Sequence, residues 1–267
     1  MRLDKYLFEQ NYFDSRRKAQ DAIKDGLVSI NGKVVTKSSF DYLEGDIKIQ
    51  KADIDFVSRG GFKLLQAINH FELDFDNKVV LDIGASTGGF TDCSLKHGAK
   101  MVYATDVGTS QLISSLKDDI RVKSIENLNF RDAKRENFDN NVFDFVVIDV
   151  SFISLEHIFA NLSSFVDKDS LIVALIKPQF ELGDISIKNK GIITKKEDHL
   201  LAIDSVEYKA LKHGFYLNKL TFSPIVGEKK GNIEFIGLFS LNNLGKLDKK
   251  VYFNIVNTAH NVLKGGR

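Results

Sequence analysis

The 267-residue chain holds a single cysteine, Cys93, which excludes an intrachain disulfide and any cysteine-clustered zinc site and fits a reducing compartment. Its six histidines are scattered without a metal-ligand spacing such as HExxH, so no metal centre is expected. Long hydrophobic runs are missing too. The longest, such as LIVALI, are far too short to span a bilayer, and MRLDKYLFEQ is charged and amphipathic rather than a secretion signal. Neither sign of charge dominates: 37 Lys and Arg stand against 36 Asp and Glu, so a nucleic-acid partner has to be met by a local basic patch. These absences describe a cytoplasmic globular chain. What is present, 43% hydrophobic residues, suffices for one full core and a small second domain.

Two early segments place apolar residues at helical spacing: residues 3–10 with Leu3, Leu7 and Phe8, and residues 15–25 with Ala19, Ala22 and Ile23. Ser15 suits the N-cap of the second and Gly26 its stop. LVSINGKVV alternates apolar and polar residues around Asn31-Gly32, a strong hairpin signal. Together these predict a small α+β domain over residues 1–50, with KADIDFV at 51–57 as linker. From residue 79 the texture changes to short apolar runs, VVLDIGA, MVYATDVG, FDFVVIDVSF and SLIVALIKPQF, separated by helical patterns. That alternation argues for an α/β domain over 58–267 with a parallel sheet covered on both faces. FYLNKLTFSPI and GNIEFIGLFSL, joined through EKKG, predict an antiparallel hairpin that closes the sheet. Residues 184–199 read as a mobile loop leading into a helix, and 248–263 as a final amphipathic helix.

LDIGASTGGFTD, residues 81–92, runs from a strand through a glycine-rich turn into a helix start. Glycines let a ligand approach the backbone closely, and open α/β sheets bind ligands at the carboxyl ends of their strands. The candidate contacts are Asp82, Gly84, Ser86, Thr87, Gly88, Gly89 and Phe90, with Asp106 at the next strand end to bond both ribose hydroxyls. A nicotinamide dinucleotide would want G-x-G-x-x-G. The G-x-x-x-G-G found here favours S-adenosylmethionine and leaves the dinucleotide as the alternative. Asn129, after a further strand, is a candidate for the adenine edge, and Asp149 is a further candidate cofactor contact.

Asp149 closes FDFVVIDVSF and Lys177 closes LIVALIKPQF, at the same end of the sheet as the glycine turn. Charges at the edge of a core demand partners, and a Lys-Asp pair beside a cofactor loop points to function. Glu234 is another carboxylate embedded in a strand. SRGGFKL at 58–64 is open to three readings: a hinge at Gly60-Gly61, a phosphate contact through Arg59, or chemistry at Lys63. Lysines and carboxylates without a nucleophile, metal ligand or Ser-His pair suit removal of a proton from a weakly acidic hydroxyl. Beside a methyl-sulfonium donor, that chemistry is O-methylation.

In order along the chain, SRGGFKL, LDIGASTGGFTDCSLKHGAKMVYATDVG, VVIDVSFISL, LIKPQFELG and SPIVGEKKGNIEF resemble the TlyA family of ribosomal RNA 2′-O-methyltransferases, whose catalytic domain is FtsJ-like. The resemblance implies a Rossmann-like S-adenosylmethionine-dependent fold: a mostly parallel seven-stranded sheet with an antiparallel closing hairpin. It also implies a Lys-Asp-Lys-Glu tetrad at Lys63, Asp149, Lys177 and Glu234. Lys177 would be general base on a ribose 2′-hydroxyl, oriented by Asp149 and Glu234, with Lys63 as a neighbouring charge. The implied target is a cytidine of ribosomal RNA and the implied partners are ribosomal subunits. Shorter members act on the large subunit and longer ones on both. A chain that starts at its first helix yet keeps a helix after the last strand shares traits with each. MRLDKYL and SRRKAQDAIKDGLVSINGKVV are similar to the S-four-like RNA-binding domain, which implies phosphate contacts by Arg2, Arg16, Arg17, Lys18, Lys24 and Lys33, joined by Arg59. Two rival readings are a non-catalytic RNA-binding assembly factor and the membrane-active haemolysin of the family's other label, for which the sequence offers no spanning segment.

Overall fold

A computed structural model describes residues 1–13, 15–24, 27–49, 56–139, 141–227, 231–245 and 247–264. Gly26, residues 51–55 of the expected linker and residues 228–230 of the hairpin connection lie outside them. The chain forms two compact units, Met1–Asp55 and Phe56–Arg267.

The first unit contains α1 (Leu3–Glu9), α2 (Arg16–Lys24), β1 (Val28–Ile30), β2 (Lys33–Val34) and β3 (Ile47–Ile49), with both strand partners of β1 antiparallel to it. Leu3, Leu7, Ala19, Ala22, Ile23, Val28 and Ile30 share one small core, as their helical and strand spacings require. Ser15 Oγ accepts the Lys18 amide at 3.2 Å and caps α2. Asn31 (φ 50°) and Gly32 (φ 77°) both adopt the left-handed conformations of a two-residue hairpin turn. The three-residue β3 carries too short a pattern to be read from sequence.

The second unit opens with α3 (Gly60–Phe71) and then alternates strands with helices: β4 (Val79–Ile83), α4 (Gly89–Lys96), β5 (Met101–Thr105), α5 (Ser114–Lys117), β6 (Val122–Ile125) and β7 (Phe145–Ile148). It continues through α6 (Glu156–Leu162), β8 (Leu171–Ile176), α7 (Pro178–Glu181), α8 (Gly183–Lys188) and α9 (Lys196–Lys212), and ends with β9 (Tyr216–Phe222), β10 (Phe235–Ser240) and α10 (Lys249–Lys264). The sheet order is β6-β5-β4-β7-β8-β10-β9. The strands from β4 to β8 are parallel, whereas β10 runs against both of its neighbours. In consequence the start of β10, paired Phe235 to Ile176, lies at the edge where β4, β5, β7 and β8 finish. The continuous burial of β7 and β8 reflects helices on both faces, so their apolar runs show no alternation.

One expectation is corrected. Residues 184–188 belong to α8 rather than to a loop, because Leu182 and Ile185 close an apolar cluster with Ile193 and Ala202 of α9. Gly60 and Gly61 open α3, and a Cβ on Gly89 of α4 would fall 2.3 Å from Ser58 Oγ and 2.9 Å from the Gly61 nitrogen. The absent side chains let two helix starts touch.

Candidate active site

After β4 the chain turns at Gly84 (φ 86°) and Gly88 (φ 100°), conformations open chiefly to glycine. A Cβ at Gly84 would stand 2.7 Å from the Asp149 carbonyl oxygen, and one at Gly88 2.2 Å from Leu116. Asp106, just past β5, accepts the Ser86 amide at 2.9 Å and the Gly108 amide at 2.8 Å. The carboxylate thereby ties the glycine turn to the next loop and keeps lone pairs for a ligand. A recess is bounded here by Ala85, Ser86, Asp106, Gln111, Leu112 and Glu126, among others.

Glu126 escaped the sequence reading, although it is the acid at the end of β6 just as Asp106 is the acid at the end of β5. It accepts the Ser110 amide at 2.9 Å and Lys117 Nζ at 2.5 Å. Asn129 accepts the Arg131 amide on its Oδ1 at 3.2 Å and caps a short helical turn over Phe130–Asp132. Thr87 is half-buried within the turn. Gly89 faces α3 and Phe90 is buried, so neither presents a side to the recess. Asp82 is wholly buried: its Oδ2 accepts Thr91 Oγ1 at 2.6 Å, and its Oδ1 has no hydrogen-bond partner. Burial above all, with Asp149 adding and the Thr91 bond opposing, lifts this carboxyl to about 7.

At the same sheet edge Asp149 follows β7, Lys177 follows β8 and Glu234 precedes β10, while Lys63 occupies the first turn of α3. Lys63 Nζ donates to Glu234 Oε2 at 2.7 Å and lies 3.5 Å from Asp149 Oδ2, and Lys177 Nζ lies 2.5 Å from Asp149 Oδ1. Glu234, Lys63, Asp149 and Lys177 therefore form a row of alternating charge, each flanked by its opposite as burial demands. Burial alone would lower Lys63, but Asp149 and Glu234 outweigh it and raise its pKa. Burial likewise would raise Asp149, but Lys63 and Lys177 outweigh it and hold the carboxyl below its ordinary value. The row continues into a residue that sequence reasoning missed: Lys177 Nζ donates to Ser151 Oγ at 2.9 Å. A serine after a strand end looks like any loop residue.

In the first unit Arg2, Arg16, Arg17, Lys24 and Lys33 are exposed and Lys18 is half-buried. Arg2 and Arg16 are not simple solvent-facing cations. Arg2 Nε and Nη2 donate to Asp4 at 3.0 Å, Arg16 Nε at 3.1 Å and Gln20 Nε2 at 2.6 Å. Burial would raise the pKa of Asp4, but the bonds from Arg2, Gln20 and Arg16 outweigh it and hold the carboxyl well below the usual carboxylate range. Lys24 approaches Asp21 at 3.9 Å. Arg59, in the second unit, is half-buried just before α3.

Residues 56–240 match the model of the FtsJ-like methyltransferase family, and residues 1–48 match the S4 domain. The chain belongs to the FtsJ-like methyltransferase family. Among relatives of this methyltransferase, Hemolysin A of Brachyspira hyodysenteriae is 43% identical over 239 residues, which cover 90% of the chain and 99% of that protein. The 16S/23S rRNA (cytidine-2'-O)-methyltransferase TlyA of Mycobacterium tuberculosis is 34% identical over 236 residues, covering 88% of the chain and 87% of that protein. A solved structure described as a hemolysin from Streptococcus thermophilus matches with a TM-score of 0.78 at 38% identity, covering 99% of the chain and 97% of that structure. These relatives set it among the TlyA proteins, and the methyl donor of an FtsJ-like methyltransferase is S-adenosylmethionine. The residues present fit that donor: a glycine turn with no room for side chains, an orphaned buried oxygen on Asp82, and the acids Asp106 and Glu126 at successive strand ends. Among the described residues no helix is long and apolar enough to cross a membrane, and no group of three or more His, Cys, Asp or Glu could hold a metal ion.

Proposed function

We propose that this methyltransferase modifies the 2′-hydroxyl of a cytidine ribose in ribosomal RNA, in the cytoplasm, with Lys177 as general base and with ribosomal RNA held in part by the S4 domain. The observation that carries this reading is the alternating row from Glu234 to Lys177 at the sheet edge that also bears the glycine turn. S-adenosylmethionine, when bound, supplies a methyl group on a positively charged sulfur and leaves as a neutral thioether. Asp106 and Glu126 accept from hydroxyl and amine donors of the bound nucleoside. Lys177, once it has released its own proton to solvent, takes the 2′-hydroxyl proton as the oxygen's electron pair turns to the methyl carbon. Asp149, kept ionised between two lysines, offsets the charge that Lys177 acquires, and Glu234 holds Lys63 in place. Exposed cations of the first unit, Arg17 and Lys33 among them, contact phosphates and set register rather than sequence choice.

Incubation with tritiated S-adenosylmethionine and ribosomal subunits tests the proposal. Label should enter RNA, fall by about 100-fold or more in Lys177→Ala, and persist in Lys168→Ala, an exposed lysine before β8. Mass spectrometry of the labelled RNA should place the methyl on a cytidine 2′-oxygen. Labelling of Lys177→Ala at the wild-type rate would reject the base. No labelling of any ribosomal substrate would favour the assembly-factor reading.

A further inference from the structure

We propose that Ser151 is a positioning residue for the base: it aims the lone pair of Lys177 at the substrate hydroxyl. The inference rests on the reading of Lys177 as that base. The resting Lys177 is the cation that closes the charge row, and it acts as base only after releasing a proton; its neutral amine then has two N–H bonds and one lone pair, and rotation about Cε–Nζ leaves three directions interchangeable unless neighbours distinguish them. Around Lys177 Nζ, Asp149 Oδ1 lies at 2.5 Å and Ser151 Oγ at 2.9 Å. An ionised carboxylate only accepts, so it retains one N–H. Ser151 is exposed and can give its own hydrogen to water, which leaves its oxygen to accept the second N–H. Only the third direction remains for the lone pair, and the proton passing from O2′ to Nζ arrives along it. With Asp149 alone, two of the three directions would be interchangeable.

The loop that presents Ser151 is built for this purpose. Glu181, whose side chain is 2% exposed, accepts Ser154 Oγ at 2.7 Å and the Leu155 amide at 2.8 Å, and Lys209 Nζ completes the anchor at 2.9 Å. Glu181 lies in α7, the helix whose N-cap is Lys177. One buried carboxylate thus registers the serine loop against the helix that begins at the base. Phe152, directly after Ser151, has φ +65°, a conformation uncommon for a bulky residue.

The test uses the full chain, ribosomal subunits and tritiated S-adenosylmethionine in initial-rate measurements. Ser151→Ala should lower kcat by about 10- to 100-fold, with the KM for subunits and the Kd for S-adenosylmethionine within about twofold of wild type, and Ser151→Thr should recover most of kcat by restoring a hydroxyl acceptor. Wild-type kcat in Ser151→Ala, alongside an inactive Lys177→Ala, overturns the inference and leaves the base assignment standing. A defect confined to KM, or one that threonine does not repair, overturns it as well. Activity in Lys177→Ala would instead remove the base itself.

Discussion

Two buried aspartates give the protein opposite responses to acid. Asp82 has a folded value of about 7, above the value near 4 expected in an unfolded chain. Between those values the folded state binds a proton that the unfolded state has lost, so stability falls as pH rises from about 4 to 7 and then levels. Asp82→Asn should therefore be more stable than wild type at pH 8, by on the order of 2–4 kcal/mol, and gain little at pH 4. Urea unfolding at the two pH values checks this, and an equal offset at both would contradict it. Asp4 is the reverse case, with its folded value depressed by Arg2, Gln20 and Arg16 against the cost of burial. Its contribution is complete above the unfolded value and disappears as the pH drops through the folded one. Asp4→Asn should destabilise the first unit by about 2–4 kcal/mol at pH 7, read as faster hydrogen exchange at the Ala19 and Ile23 amides.

At the scale of elements, the two uses of glycine separate by experiment. Gly89→Ala places a methyl group 2.9 Å from the Gly61 backbone nitrogen, so α3 and α4 must move apart. The expected loss is about 1–3 kcal/mol, with reduced methyl transfer because Lys63 rides on α3. Gly32→Ala has open space around it but a φ of 77°, so the loss should be about 1 kcal/mol from backbone strain alone. Thermal unfolding of the two variants should rank them in that order. Elements were legible in the sequence where a period ran long enough: α1, α2, the Asn31-Gly32 hairpin and the strands from β4 to β10. The short β3 and α8 were not, because three to six residues complete too few turns of either pattern. The site was legible as charges that end apolar strands. Their grouping came from the family resemblance alone, since Lys63 and Glu234 are 171 residues apart and it is the antiparallel β10 that brings them together. Ser151 and Glu181 carried no signal, because a serine and a glutamate gain meaning only from the lysines they touch.

For the whole molecule, a net charge of +1 means that RNA affinity depends on local patches rather than on overall attraction. If Arg17 contacts a phosphate, Arg17→Ala should weaken RNA binding uniformly across sequences and reduce the slope of log K against log salt by about 1. Filter binding across a salt series measures that slope. Arg16→Ala should cost more, because it also leaves the buried Asp4 short of a partner. The strand order carries a further consequence for synthesis. Protein chains are made from the N-terminus, and domains fold as they emerge. The first unit can therefore be complete while β10 does not yet exist. β10, the last strand to be made, is not added at an edge but enters between β8 and β9, bringing with it the carboxylate that pairs with Lys63. If the first unit contacts RNA as proposed, a nascent chain would hold those contacts before its charge row is complete.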